Sequence, residues 1–253
     1  MFVGGAMPFK SNLLLDALGD LERHSLVPHL ARRELKQRQI LFDVREAVNK
    51  IYFPTDAVIS LVIPLSTGEQ VETAMVGRDG VIGAIPALNG LASVNRAVVK
   101  IAGQCFVCEI EPFKNAVAKH SNLQRLIAAH VQVLFAQAQQ SAACNATHHI
   151  ESRLARWLLR AADLRGGNEL SLTQEDIAAI LGVRRTSVTV VARTLQQAGM
   201  IKYARGHIRL LDIPALQETA CECYQAIKSN YDALIQPDGN QAVLSPTLAP
   251  AGD

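Results

Sequence analysis

The stretch LTQEDIAAILGVRRTSVTVVAR, residues 172–193, constrains this chain more than any other. It reads as two short helices joined at a fixed angle through a glycine. Thr173 is placed to cap the first helix with its hydroxyl. Asp176, three residues on, is placed to accept from the cap's own N–H, completing a capping box. Ile177, Ala178, Ile180 and Leu181 are spaced to face inward, and small Ala178 suits a close approach of two helices. Gly182 stands where the chain must turn through a positive φ, which a residue without Cβ adopts at little cost. Val183 closes the turn. Val188, Val191 and Leu195, three and four apart, then give the second helix one apolar stripe. Its opposite face carries Arg185, Thr186, Thr189 and Arg193. Such a pair is a helix-turn-helix, whose second helix offers its N-terminal half to the DNA major groove.

Charge follows the same division. Residues 183–211 contain six cations (Arg184, Arg185, Arg193, Lys202, Arg205, Arg209) and no Asp or Glu, as a surface facing phosphates requires. The net charge of +2 conceals this, because residues 150–211 hold ten Lys/Arg against five Asp/Glu, and the remainder fifteen against eighteen. Only the second part is built for nucleic acid. The segment MIKYARGHIRLLD alternates apolar and polar residues about Arg205-Gly206, predicting a β-hairpin wing. The candidate DNA contacts are Thr173, Arg184, Arg185, Thr186, Ser187, Thr189, Val190, Arg193, Lys202 and Arg205.

With 253 residues, 49% of them hydrophobic, the chain has enough material for two cores. It shows no basic-then-apolar leader and no 18-residue apolar run, so a soluble cytoplasmic protein with no membrane partner is expected. Its five cysteines are an odd number in no small-domain framework, which points to a reducing compartment. Cys105 and Cys108 fall in a strand, where residues three apart point to opposite faces. Cys221 and Cys223 fall in what reads as one helix, where residues two apart diverge. Buried, inert thiols are therefore expected, with no metal ligands and no bound cofactor.

Residues 1–10 are glycine-rich and read as loose, and residues 12–30 as one or two short amphipathic helices. From Arg33 to Ile110 the runs QILFD, KIYFP, AVISLVIPL, EQVETAMV, AVVKIAG and CFVCEI predict six to eight short strands, with Thr67-Gly68 a hairpin tip. Strands at this spacing suggest a sandwich or roll. A cupin-type metal enzyme would need inward histidines, and residues 39–110 contain none. A short helix (residues 111–119) and a long one (121 to about 143) follow. The long one carries no charge between Leu126 and Ile150. Leu123, Ile127, His130 and Leu134 form a heptad-like seam suited to a second copy of the chain, with Leu126, Val133 and Ala136 toward the roll. Residues 145–149 break the pattern, and His148-His149 reads as a polar hinge rather than a metal pair. A helix resumes over residues 150–164 with Leu154, Trp157, Leu158 and Ala161 inward. Residues 214–234 are expected to form a terminal helix, and the tail from Gln236 to be disordered. The domains expected are thus a roll (1–120), a dimerisation helix and hinge (121–147), a winged reader with terminal helix (148–235) and a tail (236–253).

Roll, long helix and winged reader in this order resemble the family of the cyclic-AMP receptor protein and the fumarate-nitrate reduction regulator (Crp/Fnr), over residues 21–212. The resemblance implies an α+β fold: an N-terminal β-roll of the cyclic-nucleotide-binding type, a dimerisation helix and a C-terminal winged helix-turn-helix. It places Arg185, Thr186 and Val190 at the base-reading positions. Where the family often opens the recognition helix with Ser or Thr, this chain has Arg184, a poor cap better suited to phosphate. The effector pocket maps onto Gly83, Ala84, Asn95, Arg96 and Ala97. Here the ribose-binding carboxylate is replaced by Ala84, and the arginine falls one position late, which in a strand turns it to the other face. On the long helix Ala138-Gln139 stand where cyclic-AMP binders have Thr-Ser. Iron–sulfur members carry N-terminal cysteines, and none precedes Cys105. A homodimeric DNA-binding regulator with an effector that is neither of the familiar ones is therefore expected, with RNA polymerase an implied partner. The alternative, a metabolite-binding or enzymatic roll whose last helices serve protein contacts, finds no paired carboxylates, Ser/His/Asp set or phosphate-cradling glycine loop.

Overall fold

Alternating apolar residues in the first half of the chain bury one side of each strand, and two antiparallel sheets result. They are seen in a computed structural model that describes residues 11–235; the expectations for residues 1–10 and the tail from 236 lie outside it. Two short helices, α1 (Leu13–Asp16) and α2 (Asp20–Leu26), lead into β1 (Ala31–Leu35), β2 (Ile40–Phe42), β3 (Lys50–Pro54), β4 (Val58–Pro64) and β5 (Gln70–Val76). After α3 (Ala84–Asn89) come β6 (Arg96–Ile101) and β7 (Gly103–Glu109). One sheet has the order β1-β7-β3 and the other β2-β6-β4-β5. Ile59, Val76, Val99 and Cys105 fill the space between them, each fully buried. Gly68, at φ 87°, turns the β4–β5 hairpin where the sequence places it.

The helical half begins with α4 (Ile110–Lys119), then α5 (Ser121–Thr147), α6 (Ile150–Arg165), the short strand β8 (Glu169–Ser171), α7 (Gln174–Leu181) and α8 (Arg185–Gln197). The wing is β9 (Ile201–Ala204) and β10 (His207–Leu210), followed by α9 (Ile213–Thr219) and α10 (Cys223–Ile235). β10 lies between β8 and β9, so the hairpin is backed by a third strand. Leu154, Trp157, Leu158 and Ala161 of α6 are buried as their spacing requires, and with Ile177, Val188 and Leu195 they make the reader's core. Val58, Met75 and Ile101 of the roll belong to that same core, so roll and reader are packed together.

Three expectations are corrected. The seam Leu123, Ile127, His130 and Leu134 is buried against the protein's own roll, at 0, 2, 1 and 8% exposure, and cannot face another copy. Val133 packs on Ile227 and Tyr231 of α10 instead of on the roll. The terminal helix is two helices: the chain is extended at Ala220, where ψ is 148°. That break lifts Cys221 out of any helix and brings it and Cys223 beside Cys144 and His148, so these thiols and His148 are not the unrelated groups that an unbroken helix implies. A fourth feature, the edge strand β1, carries the exposed run Arg32, Arg33 and Glu34 and gives no alternating signal.

Candidate nucleic-acid interface

The reader's geometry starts at a cap. Thr173 Oγ1 accepts from the Asp176 N–H at 3.2 Å, and Asp176 Oδ2 accepts from the Thr173 N–H at 3.0 Å. Burial works to raise the Asp176 pKa, but the Thr173 hydrogen bonds and the neighbouring Arg38 outweigh it and hold the carboxyl below its usual value. At the other end of α7, Gly182 sits at φ 64° and ψ 41°, the left-handed conformation that closes a helix. The Val183 N–H then donates to the Ala178 carbonyl at 3.0 Å, and α8 starts two residues later.

On α8 the apolar stripe Val188, Ala192 and Leu195 is buried, leaving Arg185, Thr186, Thr189, Val190 and Arg193 exposed. Ser187 is half-buried beside them. Val190 is 65% exposed, an unusual position for a β-branched apolar side chain unless something covers it. Arg184 is the N-cap residue of α8 and makes no side-chain cap, which leaves its guanidinium in solvent. Thr189 Oγ1 donates to Gln174 Oε1 at 2.8 Å, and Arg185 Nε lies 3.8 Å from Glu175. Both contacts tie the recognition helix to the first turn of α7.

The wing folds up to the same surface. Arg205 and Gly206, at φ 50° and 79°, form its two-residue turn, and Tyr203 donates its hydroxyl to the Leu172 carbonyl at 3.0 Å. Thr173, Gln174, Glu175, Arg185, Tyr203 and Arg205 consequently line one concavity between helix and wing. Lys202 is exposed on β9, and Arg209 across from it is held by Glu169. The ten predicted contacts thus lie on α7, α8 and the wing; Thr173 is occupied in the capping box, while Arg184, Arg185, Thr186, Thr189, Val190, Arg193, Lys202 and Arg205 are exposed.

The sensor half is organised about a cavity of about 150 Å³. Of the five residues predicted there, Gly83, Ala84 and Asn95 line it, with Phe42, Leu61 and Leu134 supplying apolar wall. Arg96 does not: it donates two hydrogen bonds to Asp43, at 3.0 and 2.7 Å, and holds that carboxyl below its usual range. Ala97 is fully buried among the strands. Sequence reasoning missed His130 here. It reaches the cavity from α5, its Nε2 2.9 Å from the Val81 carbonyl.

Comparison with known proteins is consistent in fold and reader. Residues 152–219 match the Crp-like helix-turn-helix domain. The reader is thus a Crp-like helix-turn-helix domain, and the whole fold is that of solved Crp/Fnr regulators. A CRP-family transcriptional regulator from Thermus thermophilus superposes with a TM-score of 0.62 at 23% identity, over 74% of this chain and 96% of the other. FixK2 from Bradyrhizobium japonicum gives 0.64 at 16% identity, over 76% and 98%. The c-di-GMP responsive global regulator CLP of Xanthomonas campestris gives 0.60 at 12%, over 76% and 98%. A comparison with curated proteins found no match. No helix among the described residues is long and apolar enough to cross a membrane.

Proposed function

We propose that this chain is a Crp/Fnr-type transcription regulator that acts in the cytoplasm as a homodimer on a two-fold symmetric DNA site, with RNA polymerase its partner in transcription. The observation that carries DNA reading is the exposed face of α8 and the wing, where Arg184, Arg185, Arg193, Lys202 and Arg205 stand in a stretch without a carboxylate. Arg185 and Thr189 point from the first turns of α8, where a recognition helix meets base edges, and exposed Val190 suits a thymine methyl group. Arg184, Lys202 and Arg205, exposed beside them, are the phosphate contacts in this reading.

The surface that pairs two copies is on α5, one face round from the buried stripe. Ala128, Val131, Phe135, Ala138 and Ala142 recur at alternating intervals of three and four, and Phe135 is 64% exposed. This is a heptad seam of small residues around one aromatic, on a helix that carries no Asp, Glu, Lys or Arg beyond Arg125. The sensor cavity favours a small, uncharged effector, because it is apolar and its one candidate cation, Arg96, is committed to Asp43. At about 150 Å³ it falls below the volume of about 300 Å³ at which ligand pockets usually begin. Cyclic AMP is therefore excluded as effector in this reading, and titration calorimetry is expected to register no binding at micromolar nucleotide.

Selection of bound DNA from a random pool tests the reading. It is expected to enrich an inverted repeat whose half-sites lie about 34 Å apart, with affinity falling steeply as salt rises. A pool that acquires no sequence preference, or binding indifferent to salt, refutes it.

A further inference from the structure

The five cysteines form two groups. Cys105 and Cys108 lie in separate cores on the two faces of β7, and burial pushes the Cys108 thiol up to about 11. They are inert packing residues. The other three meet. Cys144 in the last turn of α5, Cys221 in the break before α10 and Cys223 in its first turn are all buried. Cys144 Sγ is 3.6 Å from Cys221 Sγ, and Cys223 Sγ is 3.5 Å from Nδ1 of His148, the residue that ends α5. All four donor atoms lie within 4.8 Å of one another.

Three further features surround this cluster. The second ring nitrogen of His148, Nε2, is 3.1 Å from Glu222 Oε1. Gln140 Nε2 donates to Cys223 Sγ at 3.0 Å. Arg153 of α6 is buried close enough to Cys144 and Cys221 for their charge to act on it, and it donates a hydrogen bond to the Leu181 carbonyl. A buried guanidinium needs a counter-charge, and neutral thiols do not provide one.

We propose that Cys144, His148, Cys221 and Cys223 bind one zinc ion in a closed, four-coordinate structural site. Bonds of about 2.3 Å to sulfur in a tetrahedron set neighbouring sulfurs about 3.8 Å apart, close to the observed separation. A four-iron cube spreads its sulfur ligands much farther apart than 4.8 Å, so the cluster is built for a single ion. Nδ1 of His148 faces the metal and Nε2–H donates to Glu222, the outer carboxylate that fixes tautomer and ring orientation at metal-bound histidines. On binding, the three thiols lose their protons to solvent and the ion keeps its +2 state. Three thiolates and one zinc leave a single negative charge, for which the buried guanidiniums of Arg153 and Arg156 on α6 are counter-charges. All four positions are filled by protein, so the ion holds structure: it pins the end of α5 to the α9–α10 junction, beside the hinge at His148-His149 where the reader begins.

The test uses the full chain, purified reduced and without chelator. Elemental analysis is expected to give one zinc per chain. Cobalt(II) added to chelator-stripped protein is expected to produce the near-ultraviolet sulfur-to-metal absorption and strong visible bands of a tetrahedral thiolate site. A thiol-reactive mercurial added in excess is expected to release one zinc per chain. His148→Ala alters a half-buried residue at a helix end, and is expected to weaken metal binding at least tenfold with folding intact by circular dichroism; Cys108→Ala is expected to leave it unchanged. These readouts do not involve DNA, so they succeed or fail separately from the operator selection. Folded, reduced protein that retains no zinc and gives no cobalt–thiolate absorption overturns the proposal. So does iron accompanied by acid-labile sulfide, or a Cys144–Cys221 disulfide that persists when zinc is supplied.

Discussion

His130 is a buried histidine whose Nδ1 has no hydrogen-bond partner among the described residues, so the folded protein resists giving it a second proton. Burial lowers its pKa, against the Val81 carbonyl and Asp79, which favour the charged form. The folded value is below the unfolded one of about 6.5, so on acidification the unfolded chain takes up this proton first. The stability it contributes is complete above about pH 6.5 and is lost as pH falls from there toward the folded pKa. Glu72 has the opposite sign: burial raises its pKa, so its ionisation costs stability as pH rises through the folded value. Melting temperatures measured from pH 8 to 5 are expected to fall more steeply in the parent than in His130→Gln, and removing Glu72 with Glu72→Gln is expected to steepen the remaining fall. Identical profiles for the parent and His130→Gln show that the imidazole is already solvated or charged. At the interface, Arg185→Ala is expected to cost about 1 to 3 kcal/mol and to relax preference at one base pair per half-site, because a forked donor reads the O6 and N7 edge of guanine. Equal weakening on every sequence reassigns Arg185 to the phosphates.

Helix α7 depends on its capping box, so Thr173→Ala is expected to lower stability by about 1 kcal/mol, seen as a lower denaturant midpoint with an unchanged slope. An unchanged midpoint shows that the cap contributes nothing. This element and α8 were readable because cap, glycine, apolar spacing and charge all agree locally, although Ala192 completes the buried stripe where Val191, only half-buried, was expected. The roll was readable as strands, but β1 was not, since an edge strand with Arg32, Arg33 and Glu34 exposed has no alternating pattern to detect. The six-residue α3 was hidden by its length and by Pro86, between the left-handed glycines Gly83 and Gly90. In α5, periodicity showed which residues share a face without showing what covers it. The stripe Leu123, Ile127, His130 and Leu134 and the stripe Ala128, Phe135 and Ala142 have the same period, and only tertiary packing assigns the first to the roll. The break at Ala220 carries no glycine or proline beside it, so the meeting of Cys221 and Cys223 with Cys144 had no local signal.

At the scale of the molecule, roll and reader are joined by contacts that do not involve a second copy. Trp157 Nε1 donates to Glu72 at 2.8 Å, Arg160 and Asp79 form a buried pair at 2.5 Å with Tyr231 stacked on the guanidinium, and Arg38 holds Asp176 at 3.0 Å. The fold of one chain is therefore secured independently of whatever covers the outer face of α5. Phe135 on that face belongs to no core cluster of the described residues, whereas Leu134 beside it is part of the roll. The two neighbours make opposed predictions. Phe135→Glu sets a carboxylate from each copy against the other at a buried seam, and is expected to give a folded monomer with an unchanged circular dichroism spectrum. Leu134→Glu is expected to unfold the roll instead, as a charge without a partner in a core does. Because a two-fold dimer engages both half-sites together, losing it is expected to weaken operator binding by at least about 100-fold, to the level of a single half-site. Sedimentation and operator titration on the same Phe135→Glu preparation decide the matter. If it sediments as a dimer and binds as tightly as the parent, the copies pair through some other surface and the seam on α5 is wrong.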